Sequence, residues 1–101
     1  MSDSAPEKLI LYTSNFCGHS RLVERLLNQN EIPVTKINID RDPDARQSLI
    51  AINGGYASVP TLIFPDGSKM TEPPMRQLKA RLGIEEKGAL ERLREWFGGD
   101  L

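Results

Sequence analysis

One thiol, one imidazole and one hydroxyl stand within four residues of each other, in Cys17-Gly18-His19-Ser20. Cys17 is the only cysteine in the chain and His19 the only histidine. A single cysteine forms no internal disulfide, and with one histidine it builds no zinc site of paired ligands, so any sulfur chemistry here is that of one thiol. A free thiol is mostly protonated near neutral pH, and a useful nucleophile needs surroundings that favour the thiolate. The neighbouring sequence supplies them. Leu9-Ile10-Leu11-Tyr12, stopped by Thr13-Ser14-Asn15, reads as a buried strand, and Leu22, Val23, Leu26 and Leu27 follow as a helical stripe. Cys17 therefore falls where a strand turns into a helix, against unpaired first-turn amides and the positive end of the helix dipole. From there the Ser20 hydroxyl can donate to the sulfur, His19 can add positive charge when protonated, and Gly18 leaves room for the backbone or disulfide of another molecule. Elsewhere a lone cysteine is more often a small buried hydrophobe; the junction sets this one apart.

The elements that must hold this junction follow in order. Asn28 to Pro33 breaks the first helix, and Val34-Thr35-Lys36-Ile37-Asn38-Ile39 has the β-branched content of a second strand. Strand, helix, strand makes a βαβ unit whose strands lie parallel by a right-handed crossover. Asp42-Pro43 is a helix start, with Ala45, Leu49 and Ile52 on its apolar face and Asn53-Gly54-Gly55 at its end. Val59-Pro60-Thr61-Leu62-Ile63-Phe64 reads as a strand, Pro65-Asp66-Gly67-Ser68 as a hairpin turn, and Lys69-Met70-Thr71 as an antiparallel return strand. Pro73-Pro74 opens a further helix carrying Met75, Leu78 and Leu82 up to Gly83. A last amphipathic stretch, Glu85 to Phe97, places Ala89, Leu90, Leu93, Trp96 and Phe97 on one side, a stripe expected to pack on the sheet.

Composition narrows the partners. In 101 residues there is room for one domain, and 39% apolar residues support a packed core. Thirteen Lys+Arg against 14 Asp+Glu leave a net charge of −1, which provides no cationic field for nucleic acid or anionic lipid. The polar start, Met1 to Lys8, has no signal-peptide core, and no apolar run reaches the ~18 residues of a membrane span. A cytoplasmic monomer without nucleic-acid or membrane partners is the expectation.

Tyr12-Thr13-Ser14-Asn15-Phe16-Cys17-Gly18-His19-Ser20, the later Val59-Pro60-Thr61 and the order βαβ then ββα resemble the glutaredoxins of the thioredoxin-like superfamily. Within them, Asn53-Gly54-Gly55, Val59-Pro60-Thr61 and Phe64-Pro65-Asp66-Gly67-Ser68 make the chain similar to the mycoredoxin branch. The resemblance runs from about Lys8 to Gly83. It implies an α/β, thioredoxin-like fold, a four-stranded mixed sheet flanked by helices. Around it the expected division is a flexible leader over 1–7, a glutaredoxin-like domain over 8–83, and a C-terminal amphipathic helical extension over 84–101. It also implies a cis peptide before Pro60, with the Val59 backbone pairing with a bound thiol or disulfide substrate.

Three departures from the family pattern bear on chemistry. Ser20 stands where a second cysteine is usual, which leaves monothiol chemistry or a serine introduced to trap a mixed disulfide. Ser14 stands where many dithiol members carry lysine. Thr71-Glu72-Pro73-Pro74 replaces the Gly-Gly-x-Asp of glutathione users, so mycothiol or a similar low-molecular-weight thiol stands beside glutathione as co-substrate. Arg21, Arg25, Arg41 and Arg46 can receive the carboxylates of such a thiol, Arg21 best because it lies one helical turn beyond Cys17.

The resemblance thus implies an oxidoreductase that clears mixed disulfides between proteins and a small thiol. Cys17, Ser20 and His19 would be its catalytic residues, and Gly18, Val59, Pro60, Arg21 and Thr71 would bind substrate. Its partners would be thiolated or disulfide-containing proteins. A second reading, from monothiol relatives with Cys-Gly-Phe-Ser, is a [2Fe–2S] scaffold held by Cys17 of two chains and two small thiols; it is less favoured, since His19 replaces the phenylalanine. A third is a thioredoxin-like binding module with an inert cysteine.

Overall fold

A computed structural model describes residues 8–84. The expected leader and the amphipathic stretch from Glu85 to Phe97 lie outside the described residues. The elements, in chain order, are β1 (Leu9–Thr13), α1 (Gly18–Gln29), β2 (Val34–Asn38), α2 (Pro43–Ile52), β3 (Thr61–Ile63), β4 (Lys69–Thr71) and α3 (Met75–Leu82). They form a four-stranded mixed sheet in the order β2-β1-β3-β4. β1 and β2 run parallel with Thr13 opposite Asn38, while β3 is antiparallel to both β1 and β4.

The period-two alternation of β1 divides the core between the two faces of the sheet. Leu9 and Leu11 join Leu62 and Phe64 under Val23, Leu26 and Leu27 of α1 and Leu78 of α3. Tyr12 lies in the cluster of Ile39 and Leu49 of α2, with Ile10, Ile37 and Val59 packed around it. Helix α1 buries Ser20, Val23, Leu26 and Leu27, whereas Leu22, expected in the apolar stripe, is 50% exposed. Its neighbour Val23 is the one on the buried face, because adjacent residues on a helix are turned about 100° apart.

The helix ends follow the expected chemistry. Asp42 caps α2 by accepting the Ala45 amide at 3.0 Å, with Pro43 in the first turn. At its other end Gly54 and Gly55 take φ of 70° and 125°, a left-handed passage that lets the Gly55 amide reach back to the Ile50 carbonyl at 2.8 Å. Strand β3 is shorter than the apolar run, because Pro60 has no amide to give to a ladder and Phe64 instead bonds across the turn to Ser68. In that turn the Ser68 hydroxyl and amide both donate to Asp66, which with Arg81 nearby lowers the carboxyl below its ordinary 3.8.

Candidate functional site

Parallel pairing of β1 and β2 brings their C-terminal ends together, so the segment from Ser14 to Cys17 lies beside the turn from Ile39 to Asp42. The Asp40 carboxylate accepts the Ser14 hydroxyl at 2.9–3.0 Å and the Asn15 amide at 2.8 Å. Ser14 Oγ in turn accepts the Phe16 amide at 3.2 Å, and the Asn38 side chain donates to Asn15 Oδ1 at 2.9 Å. The loop leading to the thiol is thereby held from β2.

Cys17 is itself the N-cap of α1, in extended backbone with φ −115° and ψ 112°. Its Sγ accepts the Ser20 backbone amide at 3.4 Å, the place a capping oxygen usually fills. No acidic residue stands in the first turn to offset the positive end of the helix. On its other side Sγ lies 3.6 Å from the Val59 carbonyl, to which the thiol form donates. The sulfur thus sits between a backbone amide donor and a carbonyl acceptor. It remains partly exposed.

Val59 is held by the polar side chains beneath it. Its bond to Pro60 is cis. The buried Thr61 hydroxyl donates to the Ser58 carbonyl at 2.8 Å and accepts from Asn53 Nδ2 at 3.1 Å. Asn53 Oδ1 then accepts the Thr71 hydroxyl at 2.8 Å, and the Glu72 amide donates to the Pro60 carbonyl at 2.7 Å. A chain of hydrogen bonds from the end of α2 to the end of β4 thus fixes the segment from Ser58 to Pro60.

Cys17, Gly18, Ser20, Val59 and Pro60 are brought together. A Cβ added to Gly18 would meet nothing within 4 Å, which leaves that side of the thiol open. Ser20 has a different part from the expected one: its hydroxyl is buried without a hydrogen-bond partner, and the donor to the sulfur is its backbone amide. The third helical position aims that amide, rather than the side chain, at the cap. His19 Nε2 donates to the Pro73 carbonyl at 2.8 Å, which ties the start of α1 to the segment before α3. Arg21 Nη2 reaches the Asn15 carbonyl at 3.4 Å, beside the thiol loop. Thr71 pairs with Asn53, one residue from the Glu72 bond to Pro60. Arg25 lines a groove between α1 and β2 with Asn28 and Lys36. Asp40 and Asn53 join the site although neither is a candidate site residue in the sequence. Their signal is positional: Asp40 follows the strand parallel to the one that delivers the thiol, and Asn53 stands in the Asn53-Gly54-Gly55 helix end that also carries the mycoredoxin similarity.

A partly exposed thiol at a helix start facing a cis-proline loop, on a mixed four-stranded sheet, gives the chain a thioredoxin-like fold. Solved structures share this architecture. The thioredoxin-like protein BC3987 is similar with TM-score 0.64 and 25% identity, covering 72% of this chain and 97% of that one. The holo form of glutaredoxin C1 from Populus tremula x tremuloides is similar with TM-score 0.56 and 25% identity, covering 78% and 77%. The glutaredoxin family model matches residues 9–68. The chain belongs to the glutaredoxin family, whose members are in general thiol–disulfide oxidoreductases. It is 34% identical over 74 residues to a protein named as a candidate glutaredoxin of Mycobacterium tuberculosis, covering 73% of this chain and 88% of the relative. It is 26% identical over 72 residues to mycoredoxin 1 of Corynebacterium glutamicum, covering 71% and 89%. These relatives are consistent with the mycoredoxin-like branch. Among the described residues no helix is long and apolar enough to cross a membrane.

Proposed function

We propose that this protein is a monothiol oxidoreductase that reduces mixed disulfides between proteins and a low-molecular-weight thiol of the mycothiol or glutathione kind. The observation that carries this reading is the position of Cys17 Sγ, partly exposed at the N-cap of α1, bonded by the Ser20 amide and 3.6 Å from the Val59 carbonyl before the cis proline. As thiolate, Cys17 attacks the small-thiol sulfur of the mixed disulfide. A bond between Sγ and that sulfur forms while the bond to the protein sulfur breaks, and the protein leaves as a thiolate that takes a proton from water. A second small thiol, also as thiolate, attacks the same small-thiol sulfur, expels Cys17 and departs as the small-thiol disulfide. One cysteine suffices for both steps, in keeping with Ser20 at the usual place of the second. The Val59 backbone and the open side of Gly18 would receive the substrate, and Arg21 would attract a carboxylate of the small thiol.

The experiment is turnover of one protein carrying either a mycothiol or a glutathione adduct, each supplied with its own free thiol. Wild type should regenerate the protein thiol with at least one of them, and Cys17→Ser with neither. A wild type inactive on both adducts rejects the reading.

A further inference from the structure

The loop ahead of the thiol has an unusual composition of constraints. Phe16 is 91% exposed and Asn15 is exposed as well, so no core packing fixes the residues just before Cys17. Yet the amides of both residues are bonded, Asn15 to Asp40 Oδ2 at 2.8 Å and Phe16 to Ser14 Oγ at 3.2 Å, and Ser14 Oγ itself donates to both oxygens of Asp40. The Asp40 backbone amide is held by Asn38 Oδ1 at 2.8 Å, and the Asn38 amide group holds Asn15 Oδ1. The hydrogen bonds of this exposed loop converge on one carboxylate and its neighbour Asn38 on β2, with Arg21 Nη2 adding a contact to the Asn15 carbonyl.

We propose that Asp40 is a positioning residue for Cys17: its carboxylate, through Ser14 and Asn15, holds the loop so that Sγ stays between the Ser20 amide and the Val59 carbonyl. Bonds to a carboxylate are the stronger kind, and an exposed loop has few other means of losing its freedom before substrate arrives. Asp40 touches no reacting atom and acts through the loop alone. The inference rests on the oxidoreductase reading above.

The test uses the full chain and the variants Asp40→Ala, Asp40→Asn and Asp42→Ala. Amide hydrogen exchange by NMR is measured at Asn15 and Phe16, together with the rate of mixed-disulfide reduction, below the melting temperature of every variant. In wild type both amides should be protected although their residues are exposed. Asp40→Ala should abolish that protection and lower the reduction rate about tenfold, the scale of one lost charge-assisted bond. Asp40→Asn keeps an acceptor oxygen for the same donors and should restore most of both. Asp42→Ala removes only the α2 cap, so it should lower the melting temperature and leave both readouts unchanged. Loss of protection in Asp40→Ala with an undiminished rate overturns the positioning role, as does a rate loss reproduced by Asp42→Ala. Wild type without any reduction activity would instead defeat the oxidoreductase reading itself.

Discussion

Replacing Thr61 by valine removes one hydroxyl from the support of the cis-proline loop and leaves the shape almost unchanged. Thr61 is fully buried, so no water takes over from its Oγ1. The substitution strips the donor from the Ser58 carbonyl and the acceptor from Asn53 Nδ2, bonds of 2.8 and 3.1 Å. Leaving buried or half-buried groups unpaired costs about 1–3 kcal/mol each at most, and with Ser58 and Asn53 both only part-buried the expected sum is about 2 kcal/mol. For a domain of this size that is a fall of roughly 10 °C in melting temperature, which thermal unfolding followed by circular dichroism would read. The disulfide-reduction rate should fall too at temperatures where the variant is still folded, because Ser58 no longer holds the approach to Val59. Thr61→Ser retains the hydroxyl and loses a methyl, at a cost near 1 kcal/mol, and should keep the rate. A valine variant that melts with wild type, or a serine variant that loses activity as valine does, would show that the Thr61 hydroxyl does not support the cis-proline loop.

Three further outcomes are expected. Ser20→Ala should leave the melting temperature equal or higher and the reduction rate within about twofold, since the buried hydroxyl has no partner to lose and the backbone amide still reaches the sulfur; a large loss of rate would return the hydroxyl to the role of donor. His19→Ala breaks the bond to the Pro73 carbonyl and should cost about 1 kcal/mol, read as a melting shift of roughly 4–8 °C, whereas an unshifted melt would count against that bond as a tie between α1 and the segment before α3. Asp66 has its folded pKa lowered by Ser68 and Arg81, so its contribution to stability is present above the ordinary 3.8 and is lost as pH falls through the lower folded value. The gap in melting temperature between wild type and Asp66→Asn should therefore hold from pH 7 to about 5 and close below 3.8; a gap independent of pH would contradict this.

The sequence made the order of elements legible because each carries a local signal: the β-branched content of β2, the Asp42-Pro43 start of α2, the glycines after Asn53. Cys17 was legible for the same reason, since a strand stopped by Thr13-Ser14-Asn15 and followed by a helical stripe places the residues between them at the junction. A spacing of three residues is equally compatible with the Ser20 hydroxyl or its amide facing the sulfur, and only the backbone geometry of the cap selects the amide. Leu22 and Val23 both fit the helical stripe in sequence, and only Val23 is buried once the sheet forms. The tertiary roles of Asp40 and Asn53 are hidden in the sequence because their partners, Ser14 and Thr61, are 26 and 8 residues away and meet them only when the sheet forms. Polar residues at element ends have ordinary local uses as turns and caps, and those uses hide the tertiary ones.

In the proposed reaction Cys17 takes the small thiol, not the protein, from a mixed disulfide. Intact-mass spectrometry measures this directly after one equivalent of a protein–mycothiol or protein–glutathione disulfide is mixed with the reduced chain and no free small thiol is added. Cys17 should gain the mass of the small thiol while the other protein loses it. A covalent adduct of the two proteins as the accumulated species, or no mass gain on Cys17 with either disulfide, would contradict that transfer.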